Sequence, residues 1–112
     1  MNSVVRVCCC VNRISSGNPQ FCRESISDLL EETRSLSADI SLFPRLSLLP
    51  PSSGALLNSS AVAAQCEEAL DQLRVACAGQ DGCIVVGLVK RFFGKPVDVL
   101  AVIQNGKVLA YL

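Results

Sequence analysis

The fold class is decided by residues 83–112, which read CIVVGLVKRFFGKPVDVLAVIQNGKVLAYL. The first seven of these residues are almost all apolar, which is typical of a strand that is covered on both faces of a sheet. Asn-Gly is a strong signal for a two-residue hairpin turn, so the later part predicts strands that pair back on one another. The expected elements are strands at Cys83–Val89, Val97–Ile103 and Lys107–Leu112, with turns at Lys90–Lys95 (around Gly94) and at Asn105–Gly106.

Upstream of this meander, strand and helix patterns alternate. Asn18 and Pro19 predict a helix start, because Asn caps a helix and Pro fits its first turn. Pro44 ends the second strand, and Ser59 or Ser60 can cap the second helix. The expected elements are a strand at Met1–Val11, a helix from Pro19, a strand at Asp39–Phe43, a loop at Leu46–Asn58 and a helix at about Ala61–Ala78. The order is β-α-β-α-β followed by a β meander, and right-handed crossovers make the first three strands parallel.

The composition narrows the class of function. The 112 residues suffice for one domain, and 10 basic residues balance 10 acidic ones, so the net charge directs the chain neither to nucleic acid nor to a membrane. No apolar run reaches the roughly 18 residues that a membrane span needs, and no targeting signal is present, so we expect a cytoplasmic protein. The mean hydropathy of +0.41 is high, which indicates apolar surface that a partner or a further segment would cover.

Most familiar catalytic patterns are excluded. The chain has no histidine, so we expect no catalytic dyad that uses one. Its seven cysteines are odd in number, which argues against a disulfide framework. Because the cysteines form no CxxC pair and histidine is absent, we also expect no metal site. Neither Gly94–Lys95 nor Gly106–Lys107 belongs to a phosphate-binding loop, and we expect no cofactor. Cys8, Cys9 and Cys10 alternate faces within a strand, and we interpret them as core residues.

The segment Leu42–Leu48 carries the one candidate site residue. Arg45 follows a strand that Phe43 and Pro44 bring to an end, and functional sites of α/β sheets are built at the carboxyl ends of strands. The alternative interpretation is an ordinary surface arginine.

On these residues the chain resembles the nitrilase (carbon–nitrogen hydrolase) superfamily, and within it the N-terminal part of the glutaminase domain of bacterial glutamine-dependent NAD synthetase. The resemblance covers nearly the whole chain in order and spacing. It implies an incomplete half of an α-β-β-α sandwich, and therefore a truncated domain at residues 1–112. The matching pieces are Val4–Val7, Ser25–Pro44, Gly54–Leu57, Ile84–Leu88, Gly94–Lys95 and Ala101–Leu109.

The resemblance also implies a chemistry and shows where this chain departs from it. The family hydrolyses amides or nitriles with a glutamate base, a lysine that stabilises the oxyanion and a cysteine nucleophile. In the synthetase, glutamine supplies the ammonia used in NAD biosynthesis. The family reads Phe-Pro-Glu where this chain has Arg45, and its lysine and cysteine are expected beyond Leu112. Further departures are Pro51 and Ala55 for the family's Tyr and Asp, and Val97–Asp98 for its Tyr-Asn.

Three hypotheses remain open at this point. The first is a non-catalytic remnant of the glutaminase domain, a pseudoenzyme that is inactive on its own. The second is an interaction module that pairs with itself or with a full-length nitrilase-family relative. The third is a fragment whose missing lysine and cysteine come from a second chain, and Arg45 counts against it.

Overall fold

The structure, a computed structural model, describes residues 4–112 and contains a five-stranded sheet with strand order β1-β2-β3-β4-β5. Strands β1, β2 and β3 pair in parallel, and β3, β4 and β5 pair antiparallel, which confirms the predicted α/β class and the β-α-β-α-β order with its meander. The elements are β1 (Val7–Cys9), α1 (Pro19–Ser35), β2 (Ile40–Leu42), a 3₁₀ segment (Pro51–Asn58), α2 (Ser60–Ala76), β3 (Cys83–Phe92), β4 (Lys95–Gln104) and β5 (Lys107–Tyr111).

Both helices begin where the capping residues predict. The side chain of Asn18 accepts a hydrogen bond from the backbone N–H of Phe21, and that of Ser59 accepts one from Val62. Each bond satisfies an N–H group that has no partner inside its helix. The apolar residues on one side of α2 and at its C-terminal cap are all buried: Val62, Cys66, Ala69, Leu70, Leu73 and Cys77.

The two helices pack against the same face of the sheet, which we call the inner face. Alternate residues of β3 and β4 are buried there and lie opposite one another in the ladder, as period-two alternation requires. A buried chain of hydroxyls joins α1 to β2 on this face. Ser41 Oγ donates to Thr33 Oγ1 at 2.9 Å, and Thr33 Oγ1 donates to the carbonyl of Leu30 at 3.1 Å. On this inner face, the buried residues of β3 and β4 are Ile84, Val86, Leu88, Val99, Ala101 and Ile103.

The opposite, outer face has no helix over it within residues 4–112. Val85, Leu100 and Val102 are only half-buried there, although they belong to the central strands. Residues toward the sheet edges are more exposed, namely Val7, Leu42 and Leu112. The expectation of uncovered apolar surface is therefore met by this face.

Several sequence-based boundaries differ from those of the structure, among them those of β2, predicted at Asp39–Phe43 and found at Ile40–Leu42. The first strand is only three residues long, and Met1–Ser3 of the predicted strand lie outside the described residues. Strands β3 and β4 extend to Phe92 and Lys95, leaving Phe93–Gly94 as the turn. Part of the predicted loop is the 3₁₀ segment, and α2 ends at Ala76.

The expectation that the three consecutive cysteines are core residues is wrong for Cys9 and holds in part for Cys10, which packs against the hydrophobic core. Cys9 is exposed, and Cys8 and Cys10 are only half-buried. The physical reason is that β1 is an edge strand whose outer face has nothing packed on it among the described residues.

No helix within residues 4–112 is long and apolar enough to cross a membrane.

Candidate functional site

The candidate site is built where the chain leaves β2 and crosses the outer face of β3. Residues Pro44–Leu49, which we call the crossing segment, pass directly over Gly87. A Cβ atom at Gly87 would collide with the backbone N of Leu46 and would lie 2.8 Å from the carbonyl oxygen of Pro44. Only glycine therefore lets the crossing segment approach the strand this closely.

Hydrogen bonds fix the crossing segment to β3. The N–H of Gly87 donates to Ser47 Oγ at 2.8 Å, and the N–H of Leu48 donates to the carbonyl of Gly87 at 2.9 Å. From the other side, Asn12 Nδ2 donates to the carbonyl of Ser47 at 2.9 Å. Leu46 takes a left-handed φ of 53°, which turns the chain at this point. The backbone that follows Arg45 is thus held by buried hydrogen bonds, to Gly87 of β3 and to Asn12.

Arg45 forms an ion pair on the outer face. Its Nε donates to Oδ2 of Asp98 on β4, which lies opposite Val89 of β3 in the ladder. The side chain of Arg45 is 74% exposed and that of Asp98 is 28% exposed, so the pair is open to solvent. A guanidinium has only donors and does not lose its proton in proteins, so Arg45 can bind an anion but cannot accept a proton.

The structure brings together only some of the residues that the sequence singles out. Arg45 and Asp98 are in contact, while Pro51 and Ala55 lie exposed in the 3₁₀ segment and Val97 is exposed beside Asp98. Sequence reasoning did not find the partnership of Arg45 with Asp98, nor the roles of Ser47 and Gly87. The glycine inside the apolar run of β3 was the one available signal, because such a glycine often marks a close backbone approach.

The buried cysteines lie away from this site. Cys22, Cys66 and Cys77 are buried among the helices, on the inner side of the sheet. Burial raises the pKa of the Cys66 thiol to about 11, and burial together with the neighbouring Cys8 and Cys9 raises the pKa of Cys10. A raised pKa lowers the fraction of reactive thiolate. Within the described part of the chain, no group of three or more potential ligands is placed to hold a metal ion.

A cavity of about 360 Å³ lies at the opposite end of the sheet. It opens where α1 and α2 end and where β2 and β3 begin, and its wall includes Thr33, Arg34, Asp39, Cys77 and Asp81. No residue of the crossing segment lines it. The cavity is therefore separate from the site around Arg45.

Solved structures define the class of fold. The chain superposes on the glutamine-dependent NAD(+) synthetase of Cytophaga hutchinsonii with a TM-score of 0.89 at 20% identity, covering 97% of this chain and 18% of that one. The synthetase of Acinetobacter baumannii gives a TM-score of 0.78 at 22% identity, covering 91% and 20%. An amidase of the nitrilase superfamily from Nesterenkonia AN1 gives 0.80 at 19%, covering 96% and 42%.

Residues 4–112 thus share the fold of the matching parts of these synthetases and of this amidase, as the sequence resemblance predicts. The chain spans less than half of the length of each of these proteins. At this level of identity, the likeness establishes the fold. No protein-family model matches the sequence, and no curated protein matches it significantly.

Proposed function

We propose that residues 1–112 form part of a carbon–nitrogen hydrolase domain, similar to part of the glutaminase domain of NAD synthetase, and that this chain does not hydrolyse amides on its own. The observation that carries this proposal is the ion pair of Arg45 with Asp98 at the end of β2. The resemblance puts the family's general base at position 45, and the structure holds a permanent cation there.

The chemistry of amide hydrolysis explains why this substitution matters. A general base must take a proton from the nucleophile, and a guanidinium has no free lone pair to accept it. Among residues 4–112, the carboxylate paired with Arg45 is that of Asp98, and the ion pair already engages it. The resemblance also assigns no counterpart of the family's lysine or cysteine among these 112 residues. The resemblance therefore assigns no part of the triad to a residue of suitable chemistry within residues 1–112.

The test is an assay of ammonia release from glutamine by the purified chain. We expect no turnover above the buffer background, for the native chain and for Arg45→Glu alike, because restoring the base does not supply a nucleophile. Arg45→Ala serves as the matched control, since it removes the ion pair without adding a carboxylate. Turnover by the native chain that survives Arg45→Ala would overturn the proposal.

A second candidate function, an interaction module that pairs with itself or with a nitrilase-family chain, is supported by the outer face. That face exposes Val7, Leu42 and Leu112 and has no helix over it within residues 4–112. Sedimentation equilibrium of the native chain and of a Leu42→Lys variant tests this. A concentration-dependent dimer that the lysine abolishes would favour the module, whereas a monodisperse native monomer would count against self-pairing.

We further propose the cytoplasm as the site of the protein. Support comes from the seven cysteines, all of which are free thiols, as expected in a reducing compartment. Cell fractionation of a tagged full chain tests the location. Recovery from an oxidising compartment with the thiols paired would contradict it.

A further inference from the structure

Two turns of the meander share one backbone geometry but not one sequence. In the turn between β4 and β5, Asn105 and Gly106 have φ values of 49° and 76°. In the turn between β3 and β4, Phe93 and Gly94 have φ values of 52° and 76°. Two successive residues with positive φ are what an Asn-Gly hairpin turn provides, so Asn105 is the expected residue and Phe93 is not.

Phe93 departs from two physical preferences at once. A bulky residue in the left-handed region is strained, because its Cβ crowds the following carbonyl. Its side chain is also fully exposed, so no buried contact offsets that strain. A position that breaks local rules without a compensating gain inside the fold is typical of a binding surface.

The turn presents Phe93 on a fixed support. Arg91 donates to the carbonyl of Gly94 at 2.6 Å and to that of Asn58 at 2.6 Å, which ties the hairpin to the last residue of the 3₁₀ segment. Phe92 packs edge-to-face against Tyr111, with ring centroids 6.4 Å apart. The exposed ring therefore projects from a hairpin that is already ordered.

The charged residues along the sequence of this turn have one sign. No carboxylate occurs between Asp81 and Asp98, while Lys90, Arg91 and Lys95 all lie in that interval. Lys90 is paired with Glu67 at 2.8 Å, which leaves Arg91 and Lys95 without a carboxylate partner among the described residues. The net charge of the whole chain is zero, but positive charge is in excess at this turn, next to the exposed ring of Phe93.

We propose that the Phe93 turn, defined as residues 91–95, docks on an anionic lipid surface. Aromatic rings enter the interfacial layer of a bilayer readily, and cations near the surface are attracted to its acidic headgroups. A stable protein interface buries roughly 800 Å² on each partner, which a two-residue turn cannot provide, whereas a lipid surface requires no such area. The molecule would then lie on the membrane through this turn.

Sedimentation of the native chain with phosphatidylserine-rich vesicles, and separately with phosphatidylcholine vesicles, tests the proposal. We expect binding to the anionic vesicles alone, weakened by added salt as the screening length shortens. Phe93→Asn should lower the vesicle affinity by roughly tenfold or more through loss of the inserted ring. Lys95→Gln should lower it by about fivefold, the effect of one surface cation.

The variants separate docking from folding. Phe93→Asn recreates the Asn-Gly pair found at Asn105–Gly106, so it should raise the thermal midpoint while it weakens binding. Leu36→Asn, which removes an exposed apolar side chain just after α1, at the opposite end of the sheet, should leave binding unchanged. Native binding that is absent, insensitive to Phe93→Asn, or displaced by soluble glycerophosphoserine would overturn the proposal, as would retention on acidic polypeptide with none on vesicles.

Discussion

The guanidinium of Arg45 and the carboxylate of Asp98 form an ion pair between positions 53 residues apart, and so connect the crossing segment to β4. The pair places a cation and its counter-charge together on the outer face, at the position that decides our functional proposal. Its energetic weight can be measured by reversing the charges.

Arg45→Glu should lower the free energy of unfolding by about 1 kcal/mol or less, because solvent screens a pair as exposed as this one. The variant puts a second carboxylate beside Asp98. The double variant Arg45→Glu with Asp98→Arg should regain most of the loss. Urea unfolding measures all three chains, and a double variant that is less stable than Arg45→Glu alone would show that the ion pair is not the reason.

Gly87→Ala should destabilise the fold by roughly 1–3 kcal/mol, since the added methyl group overlaps the backbone of the crossing segment. Gly54→Ala is the matched control. A Cβ at Gly54 meets nothing within 4 Å, so only the strain of its positive φ remains. Chemical denaturation should therefore rank Gly87→Ala as the more damaging change, and the reverse order would contradict the close approach described here.

Ser47→Ala should cost about 1–3 kcal/mol, because it leaves the buried N–H of Gly87 without its acceptor. Ser52→Ala removes a hydroxyl of the same size whose partner is Ser16 on the exposed surface. We expect that control to change stability by no more than about 0.5 kcal/mol. Equal effects of the two substitutions on thermal unfolding would argue against a stabilising role of the buried hydrogen bond between Gly87 and Ser47.

Alkylation should divide the cysteines by burial. Cys9 is exposed and should react first with iodoacetamide, while Cys22, Cys66 and Cys77 should react only when the protein opens. Peptide mass spectrometry after timed quenching identifies the modified residues. Rapid labelling of Cys66 in the folded chain would contradict its burial between α2 and the sheet.

The same thiols make stability depend on alkaline pH. Burial raises the pKa of Cys66 from its ordinary 9.0 to about 11 in the folded chain. Above about pH 9 the unfolded chain releases this proton while the folded chain retains it, so the free energy of unfolding should fall as the pH rises from about 9 to 11. Cys66→Ala should show a shallower fall over this interval, and an unchanged slope would assign the effect to other groups.

The sequence predicted the helix starts and the second hairpin turn well, because these features depend on interactions between residues that are close together in the chain. Asn18 and Ser59 cap helices through bonds to residues three positions away, and Asn105–Gly106 forms its turn from two adjacent residues. The exposure of Cys9 was not predictable in this way, because the burial of a β1 residue depends on what packs across the sheet. The pattern of one strand does not reveal whether that strand is an edge strand.

The candidate site was predictable only in part for the same reason. Arg45 could be located because Pro44 marks a strand end and because the family motif covers it. Its contact with Asp98 depends on how the crossing segment passes over Gly87, which is a property of the assembled sheet. Phe93 offered no sequence signal either, since its left-handed backbone is known only from the structure.

The buried hydroxyls of Thr33 and Ser41 have a consequence for how α1 is aligned on the sheet. A slide of α1 by one turn, about 5.4 Å, would keep most apolar contacts but would separate the two hydroxyls inside the core. Ser41 would then lose its partner, while Thr33 would keep only its bond to the carbonyl of Leu30 within the same helix. The hydrogen bond between Ser41 and Thr33 therefore disfavours shifted positions of α1 on the sheet that hydrophobic packing alone would tolerate.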